Sequence, residues 1–327
     1  MKKYLSIVST YYNGEHYLKE FHERISLAAK KITLDYEIIL INDGSYDRSY
    51  EITKSIADRD PATHIINLSK NFGHHKAMMC GLSHAKGDLV FIIDSDLEED
   101  PELLISFYEH MSNTSADVIY GVQKTRKGRF FERASGAAFW KLINALSPVK
   151  LPQNMSTIRL MTKEYVSSVI QYTEKVLFIH GIWMLAGYKQ LPILITKKSK
   201  GTTTYTLPIK IKLAIDSIVS FSDRPLEGIF YLGAGISSLS LTYISFILVR
   251  KIFFSGSITG WSSLIASVWF FGGLILLCLG VIGMYLSRIY LESKNRPLVI
   301  EKEHYKCNTL PDNKLTKGNK QTHEDCI

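Results

Sequence analysis

The pattern of apolar and polar positions divides the chain into two unlike parts. Up to about Arg224, short apolar runs alternate with polar turns and helical patterns; beyond it come two long apolar stretches and a polar tail. Tyr4–Ser9, Glu37–Ile41, His64–Leu68 and Leu89–Ile93 have the length and aliphatic, β-branched character of buried strands. Tyr17–Ile32 and Ser49–Asp58 read as helices between them, and Asn71–Leu82 as a turn running into a third. This strand–turn–helix–strand grammar predicts a mostly parallel sheet with right-handed crossovers. Each polar turn after a strand then lands on one edge of the sheet, where open α/β folds bind their ligands.

The two long stretches, 229–249 and 262–287, contain no charged residue, and each is long enough to cross a hydrocarbon layer of about 30 Å as a helix. Tyr231, Tyr243, Trp261, Trp269 and Tyr285 lie near or within their ends, as in an aromatic belt. Met1-Lys-Lys is followed only by a strand-length apolar run, so no cleavable signal is expected. Arg288, Lys294 and Arg296 flank the second stretch and favour a cytosolic tail, while Arg250 and Lys251 in the short turn pull mildly the other way. The expected organisation is a cytosolic domain over 1–225, a two-helix transmembrane anchor over 226–290, and a polar cytosolic tail over 291–327 read as disordered. Within the first part, 206–224 mixes apolar residues with Lys210 and Lys212, the pattern of a helix lying on the membrane surface or of one packed in a core. Gly233, Gly235, Gly272, Gly273, Gly280 and Gly283 would let the spans pack or form a homo-oligomer.

Composition adds bounds to this picture. With 327 residues, 46% of them hydrophobic, the chain can bury a sizeable core, and its net charge is +8. Cys80, Cys278, Cys307 and Cys326 lack metal-ligand spacing and would stay reduced in a cytosol. His304, Cys307, His323 and Cys326 in the tail match no zinc-site spacing either.

The chemistry concentrates at Asp94-Ser-Asp96-Leu-Glu98-Glu99-Asp100-Pro101, directly after the fourth strand. Asp100 and Pro101 suit the N-cap and first residue of a helix. Asp94 and Asp96 are not needed for that, and hard oxygen ligands at a strand end suit Mg2+ or Mn2+ and, with it, a diphosphate. Asp43, at the end of the second strand, either accepts the imino N–H of a uracil or bonds its own turn.

Asn13…Glu15, Asn42-Asp43-Gly44-Ser45, Asn71-Phe72-Gly73 and Asp94-Ser-Asp96, in this order, resemble the GT-A glycosyltransferases. Arg126…Arg133-Ala-Ser135, Asn154…Arg159-Leu160-Met161, Gly181-Ile-Trp183 and Ser220-Phe-Ser-Asp-Arg224-Pro225 narrow the likeness to polyisoprenyl-phosphate glycosyltransferases similar to dolichol-phosphate mannose synthase, over roughly residues 4–290. The resemblance implies an α/β GT-A fold, Rossmann-like, and metal-dependent inverting transfer from a nucleotide-diphosphate sugar, UDP-linked by expectation, to undecaprenyl phosphate at the cytosolic face of a bacterial inner membrane. It implies catalytic roles for Asp94 and Asp96, and nucleotide contacts by Thr10, Tyr12, Asn13, Glu15, Asp43, Gly73, Lys76, Asp94 and Ser95. Asp96 and Glu98 would hold the metal. Four positions depart from the family pattern: Gly14 replaces a glutamate, Asn42 an acid, Glu98 a glutamine and Thr157 an aspartate.

A lipid monophosphate, with a second pKa of about 6, is an anionic nucleophile already and needs cations more than a base. Arg126, Arg129, Arg133, Ser135 and Arg159 are the candidates for its phosphate, since guanidinium forks match phosphate oxygens. Lys197, Lys198 and Lys200 read as a face steered to anionic headgroups. His74 and His75 read as structural or phosphate-adjacent, not as bases. The expected partners are a nucleotide sugar, a polyprenyl phosphate and the bilayer, with no nucleic acid. Extension of a lipid-linked saccharide at a sugar hydroxyl is the alternative reaction. A non-catalytic nucleotide-binding scaffold or translocation subunit is the alternative of another class, against which the intact Asp94-Ser-Asp96 argues.

Overall fold

The structure, a computed structural model, describes residues 4–123, 152, 154–198, 224–253 and 260–306. Four strands, β1 (Leu5–Tyr11), β2 (Tyr36–Asn42), β3 (Thr63–Leu68) and β4 (Leu89–Ile92), are joined by helices α1 (Leu18–Lys30), α2 (Ser49–Ala57) and α3 (His74–His84). They pair in parallel, β4 beside β1, β1 beside β2 and β2 beside β3. Beyond β4 come α4 (Leu103–Ser112), β5 (Val118–Gln123), β6 (Met155–Thr162), α5 (Lys163–Val169), α6 (Ile179–Leu185) and β7 (Gln190–Ile195). The sheet order is β7-β5-β6-β4-β1-β2-β3-β8, with β8 formed by Glu301–Lys306. The sheet is mixed: β7 pairs with β5 in parallel, so four of its seven pairings are parallel, while β6 runs antiparallel to both β4 and β5, and β8 antiparallel to β3.

Strand alternation builds two cores, one on each face of the sheet. Ile7, Ile38, Leu40 and Phe91 face Phe21 and Ile25 of α1 and Phe107 of α4. Val8, Ile39, Ile41 and Ile92 face Met78 and Leu82 of α3, Tyr165 of α5 and Trp183 of α6. Because both faces are covered, the central strands are continuous apolar runs.

Two long helices follow, α7 (Arg224–Phe253) and α8 (Trp261–Ser293), and they touch one another. Among the described residues one stretch, Phe270–Ser293, is long and apolar enough to cross a membrane, with mean hydropathy 2.1 and no part of it buried inside the protein. The glycines of both helices face open space. The proposed surface helix over 206–224 falls, except for Arg224, outside the described residues.

Within the tail, the described residues 301–306 form a strand, and 307–327 lie outside the described residues. Residues 301–306 add an edge strand to β3, Ser69 N–H donates to the Ile300 carbonyl at 2.9 Å, Tyr50 donates to Glu303 at 2.7 Å, and the Tyr305 hydroxyl bonds Asp58. The Lys54 ammonium sits 4.8 Å over the Tyr305 ring. A six-residue segment with four charges reads as a tail in sequence, yet an edge strand tolerates such charges because one side of it faces water.

Gly81 marks the closest approach of α3 to the sheet: a Cβ there would lie 2.5 Å from both Val8 Cγ1 and Ile41 Cδ1. Gly81→Ala is expected to cost about 1–3 kcal/mol by overpacking. The check is the thermal midpoint in detergent, and an unchanged midpoint would contradict this packing.

Candidate active site

The carboxyl ends of β1, β2 and β4 deliver the site, as the parallel register requires. At β2, Asn42 does the turn's own work: its Oδ1 accepts Ser45 N–H at 3.0 Å and its Nδ2 donates to Asn67 at 2.9 Å. Asp43 is thereby freed for another task. It is buried, and its two oxygens accept the backbone N–H groups of Phe72 and Gly73 at 2.7 and 3.0 Å, which holds the turn before α3. Burial pushes its carboxyl up, against these two bonds. Gly73, at φ +97°, supplies a left-handed bend that a side chain would resist.

The β1 and β2 turns are laced together. Asn13 N–H donates to Ser45 Oγ at 3.0 Å, Gly14 N–H to Ser49 Oγ at 2.8 Å, and Arg48 N–H to Glu15 at 3.2 Å. Asn13 sits at φ 51° and accepts Tyr46 N–H. Tyr12 and Tyr46 stand exposed, edge to face, on top. Thus Thr10, Tyr12, Asn13, Glu15, Asp43 and Gly73 all lie along one sheet edge; Lys76 stands in the first turn of α3, its N–H on the Gly73 carbonyl at 3.0 Å.

At β4, Asp94 is fixed from two sides. His74 bridges Thr10 Oγ1 at 2.9 Å and Asp94 Oδ1 at 3.3 Å, and Thr157 donates to Asp94 Oδ2 at 3.0 Å. Thr157 is therefore a partner of this carboxylate and not a gap left by a missing one. Ser95 Oγ ties the loop to the Thr10 carbonyl at 3.0 Å. Asp96 is half-buried and accepts Glu98 N–H at 3.0 Å. Burial raises its carboxyl, and the charges of Glu98 and Asp94 add to this against the Glu98 amide and Lys197.

Residues from distant segments engage the rest of this loop. Glu98 turns to Lys197 Nζ at 3.1 Å, so its charge is engaged by a lysine. Lys197 and Lys198 also contact this loop: Lys198 N–H donates to the Glu98 carbonyl at 2.7 Å and its ammonium to Asp100 at 2.6 Å. Burial lowers the Lys197 ammonium, but Glu99, Asp94 and Glu98 outweigh that and hold it above its usual value. Asp100 does not cap α4, whose N-cap is Glu102; its carboxylate bonds Arg24 at 2.8 Å, and Arg24 also grips Glu102 at 2.6 Å.

Arg159 is likewise relocated. On the central strand β6 it is fully buried, with its guanidinium 3.1 Å from the Trp183 ring centre and its Nε on the Thr157 carbonyl at 3.3 Å. Burial brings it down to about 10. It presents no surface to an acceptor phosphate, and Trp183, also fully buried, is core. Arg126, Arg129, Arg133 and Ser135 lie outside the described residues.

Glu99 is the residue that sequence reasoning left without a role. It is fully buried, accepts the Ser156 hydroxyl, lies 3.9 Å from Lys197 Nζ, and has Oε2 without a hydrogen-bond partner among the described residues. Burial, with Asp94 adding repulsion, raises it to about 7, against Lys197 and Ser156. Its position directly after Glu98 was visible, but Ser156 and Lys197 come from distant segments.

The donor set fits a hard divalent cation. Asp94, Asp96, Glu98 and Glu99 crowd their charges together with Lys197 as their shared cation. Among the described residues these acids do not converge into a group of three ligand atoms. That suits Mg2+ or Mn2+ held by one or two carboxylates and completed by phosphate oxygens.

The sequence profile described as Glycosyl transferase family 2 matches residues 6–170. A protein of Mycobacterium tuberculosis is 45% identical over 301 residues, covering 92% of this chain and 88% of its own. The uncharacterized glycosyltransferase YkcC of Bacillus subtilis is 36% identical, covering 92% and 94%. A prophage-derived bactoprenol glucosyl transferase of Shigella flexneri is 32% identical, covering 92% and 98%. Among solved structures, glucosyl-3-phosphoglycerate synthase from Mycobacterium tuberculosis, in complex with Mn2+, UDP and phosphoglyceric acid, is 17% identical at a TM-score of 0.48, covering 66% of this chain and 76% of that one.

Glu99 generates a pH prediction. The folded protein keeps a proton that the unfolded chain releases near 4.5, so stability falls as pH rises from there to about 7 and is level above. Glu99→Gln should remove this part of the slope in thermal midpoints measured across that window. The same slope in both proteins would contradict the assignment.

Proposed function

Because the chain belongs to glycosyl transferase family 2, we propose that it transfers a sugar, with inversion, from a UDP-linked donor to a polyprenyl phosphate at a membrane surface. The observation that carries this reading is the half-buried Asp96 among neighbouring carboxylates at the carboxyl edge of the parallel strands. Asp96 would hold the divalent ion, with Asp94 beside it. When bound, that ion neutralises the diphosphate and stabilises it as a leaving group.

The chain's own residues account for the rest. Asp43 and the loops through Asn13 and Glu15 take the nucleoside; Asp43 retains accepting lone pairs for an imino N–H beyond the two amides it already holds. His74 and Thr157 fix the Asp94 carboxylate from both sides. Glu99 is fully buried and does not reach an acceptor, so it positions Lys197 and β6 and does not serve as a base. A phosphate acceptor asks for none. The Shigella relative's description as a bactoprenol glucosyl transferase supports a polyprenyl acceptor. Arg126, Arg129, Arg133 and Ser135 remain the proposed acceptor-phosphate residues.

The membrane arrangement follows from parity. Residues before α7 and residues after α8 share one sheet, since β8 pairs with β3. The chain between them must cross a bilayer an even number of times. If α8 crosses, α7 is the return partner, and 229–249 of α7 has no charged residue. This supports a two-span anchor with both ends in the cytosol.

Asp96→Ala should reduce transfer at least about 10²-fold, the scale of losing a group that stabilises transition-state charge, while membrane insertion is kept. Membranes given radiolabelled UDP-sugars and either polyprenyl phosphate or a polyprenyl diphosphate-linked saccharide should label the monophosphate. Labelling of the saccharide alone would replace the acceptor, and full activity of Asp96→Ala would remove the metal role.

A further inference from the structure

At the far end of α3 from His74, three kinds of metal-ligating atom meet. Cys80 and His84 are one helical turn apart on α3, and Glu301 comes from β8. Cys80 Sγ lies 3.5 Å from Glu301 Oε1, His84 Nε2 lies 3.4 Å from Glu301 Oε2, and the three ligand atoms all fall within 4.8 Å of one another. Bonds of about 2.0–2.3 Å in tetrahedral geometry place ligand atoms about 3.4–3.8 Å apart, so a small rotation of the Glu301 carboxylate, whose two oxygens now face Cys80 and His84 separately, would bring one oxygen into such a shell.

Two further observations point the same way. The Nδ1–H of His84 donates to the Cys80 carbonyl at 2.9 Å, which in the neutral ring leaves the lone pair on Nε2, toward Glu301. A backbone carbonyl on the second nitrogen is the arrangement that orients metal-binding histidines. The β3–β8 ladder also shifts register: Ile66 pairs His304 and Asn67 pairs Glu303, but Leu68 pairs Glu301. Skipping Lys302 in this way places Glu301 and His304 on one face of the strand, which simple alternation would have separated. His304 stands at the rim of this group, 5.5 Å from His84, ring centre to ring centre.

We propose that Cys80, His84 and Glu301 form a zinc-type site that clamps the returning strand β8 to α3. The site is separate from the acidic loop of β4 and takes a softer ion, because thiolate and imidazole select zinc or cobalt over magnesium. Binding releases the thiol proton and fastens the chain that leaves the membrane helices to the nucleotide-binding half of the sheet. The assignment does not depend on which sugar or acceptor the enzyme uses.

The test is metal binding by the full-length protein in detergent, freed of metal and then titrated with Co2+ and Zn2+. One Co2+ per chain should give a thiolate-to-cobalt charge-transfer band in the near ultraviolet, displaced by Zn2+. Cys80→Ser should abolish the band, and His84→Ala and Glu301→Gln should each weaken Zn2+ binding at least about tenfold. A variant with Cys278, Cys307 and Cys326 all changed to serine should keep the band. Hydrogen exchange of the β8 amides should slow with Zn2+ in the unaltered protein but not in His84→Ala. No band in the unaltered protein, or a band that survives Cys80→Ser, would overturn the proposal.

Discussion

The site depends on a concentration of negative charge that the fold holds together. Asp94, Asp96, Glu98 and Glu99 fall within six residues, and their mutual repulsion adds to burial in raising Asp96 and Glu99. Each is held by something that came from elsewhere: Asp94 by His74 and Thr157, Glu98 by Lys197, Glu99 by Ser156. Burial, with Glu98 and Asp94 adding repulsion, raises the Asp96 carboxyl, and Glu99 is raised to about 7. A divalent cation bound there would relieve that repulsion, and a nucleotide diphosphate would bring the remaining oxygens it needs.

The same constraint explains the shape around the loop. β6 must lie beside β4 to present Thr157 and Ser156, and it does so antiparallel, with Arg159 stacked on Trp183 beneath. The chain after β7 must come back to Glu98 and Asp100, and Lys197 and Lys198 do this. On the opposite side of the sheet, β8 closes the edge at β3 and brings the end of α8 home, where Lys175 N–H also bonds Glu292 at 2.6 Å. The chain before α7 and the chain after α8 thus belong to one sheet.

The first four strands and three helices were legible because their periodicity is local. β1, β2, β3 and β4 agree with the apolar runs to within a residue or two. The placement of Thr10, Asn13, Asp43, Gly73 and Asp94 on one edge followed from the strand–helix alternation. What was not legible rests on pairing across distance. Lys198 reads as part of a basic run, yet its partner Asp100 lies 98 residues away in sequence. Asp100 before Pro101 reads as a cap until Arg24 of α1 claims it. Arg159 reads as a phosphate ligand because its strand neighbours do not appear in a linear view. β8 reads as a tail because charged residues at an edge carry no strand period. Glu301 could not be matched with Cys80 and His84 by spacing, since the three meet only through the sheet.

The account turns on the acidic loop being a metal-dependent nucleotide site, and calorimetry of UDP binding to the purified enzyme addresses this most directly. UDP should bind in the presence of Mn2+ or Mg2+ and lose most of its affinity when the ion is removed by chelator. Equal affinity with and without the divalent ion would contradict the account.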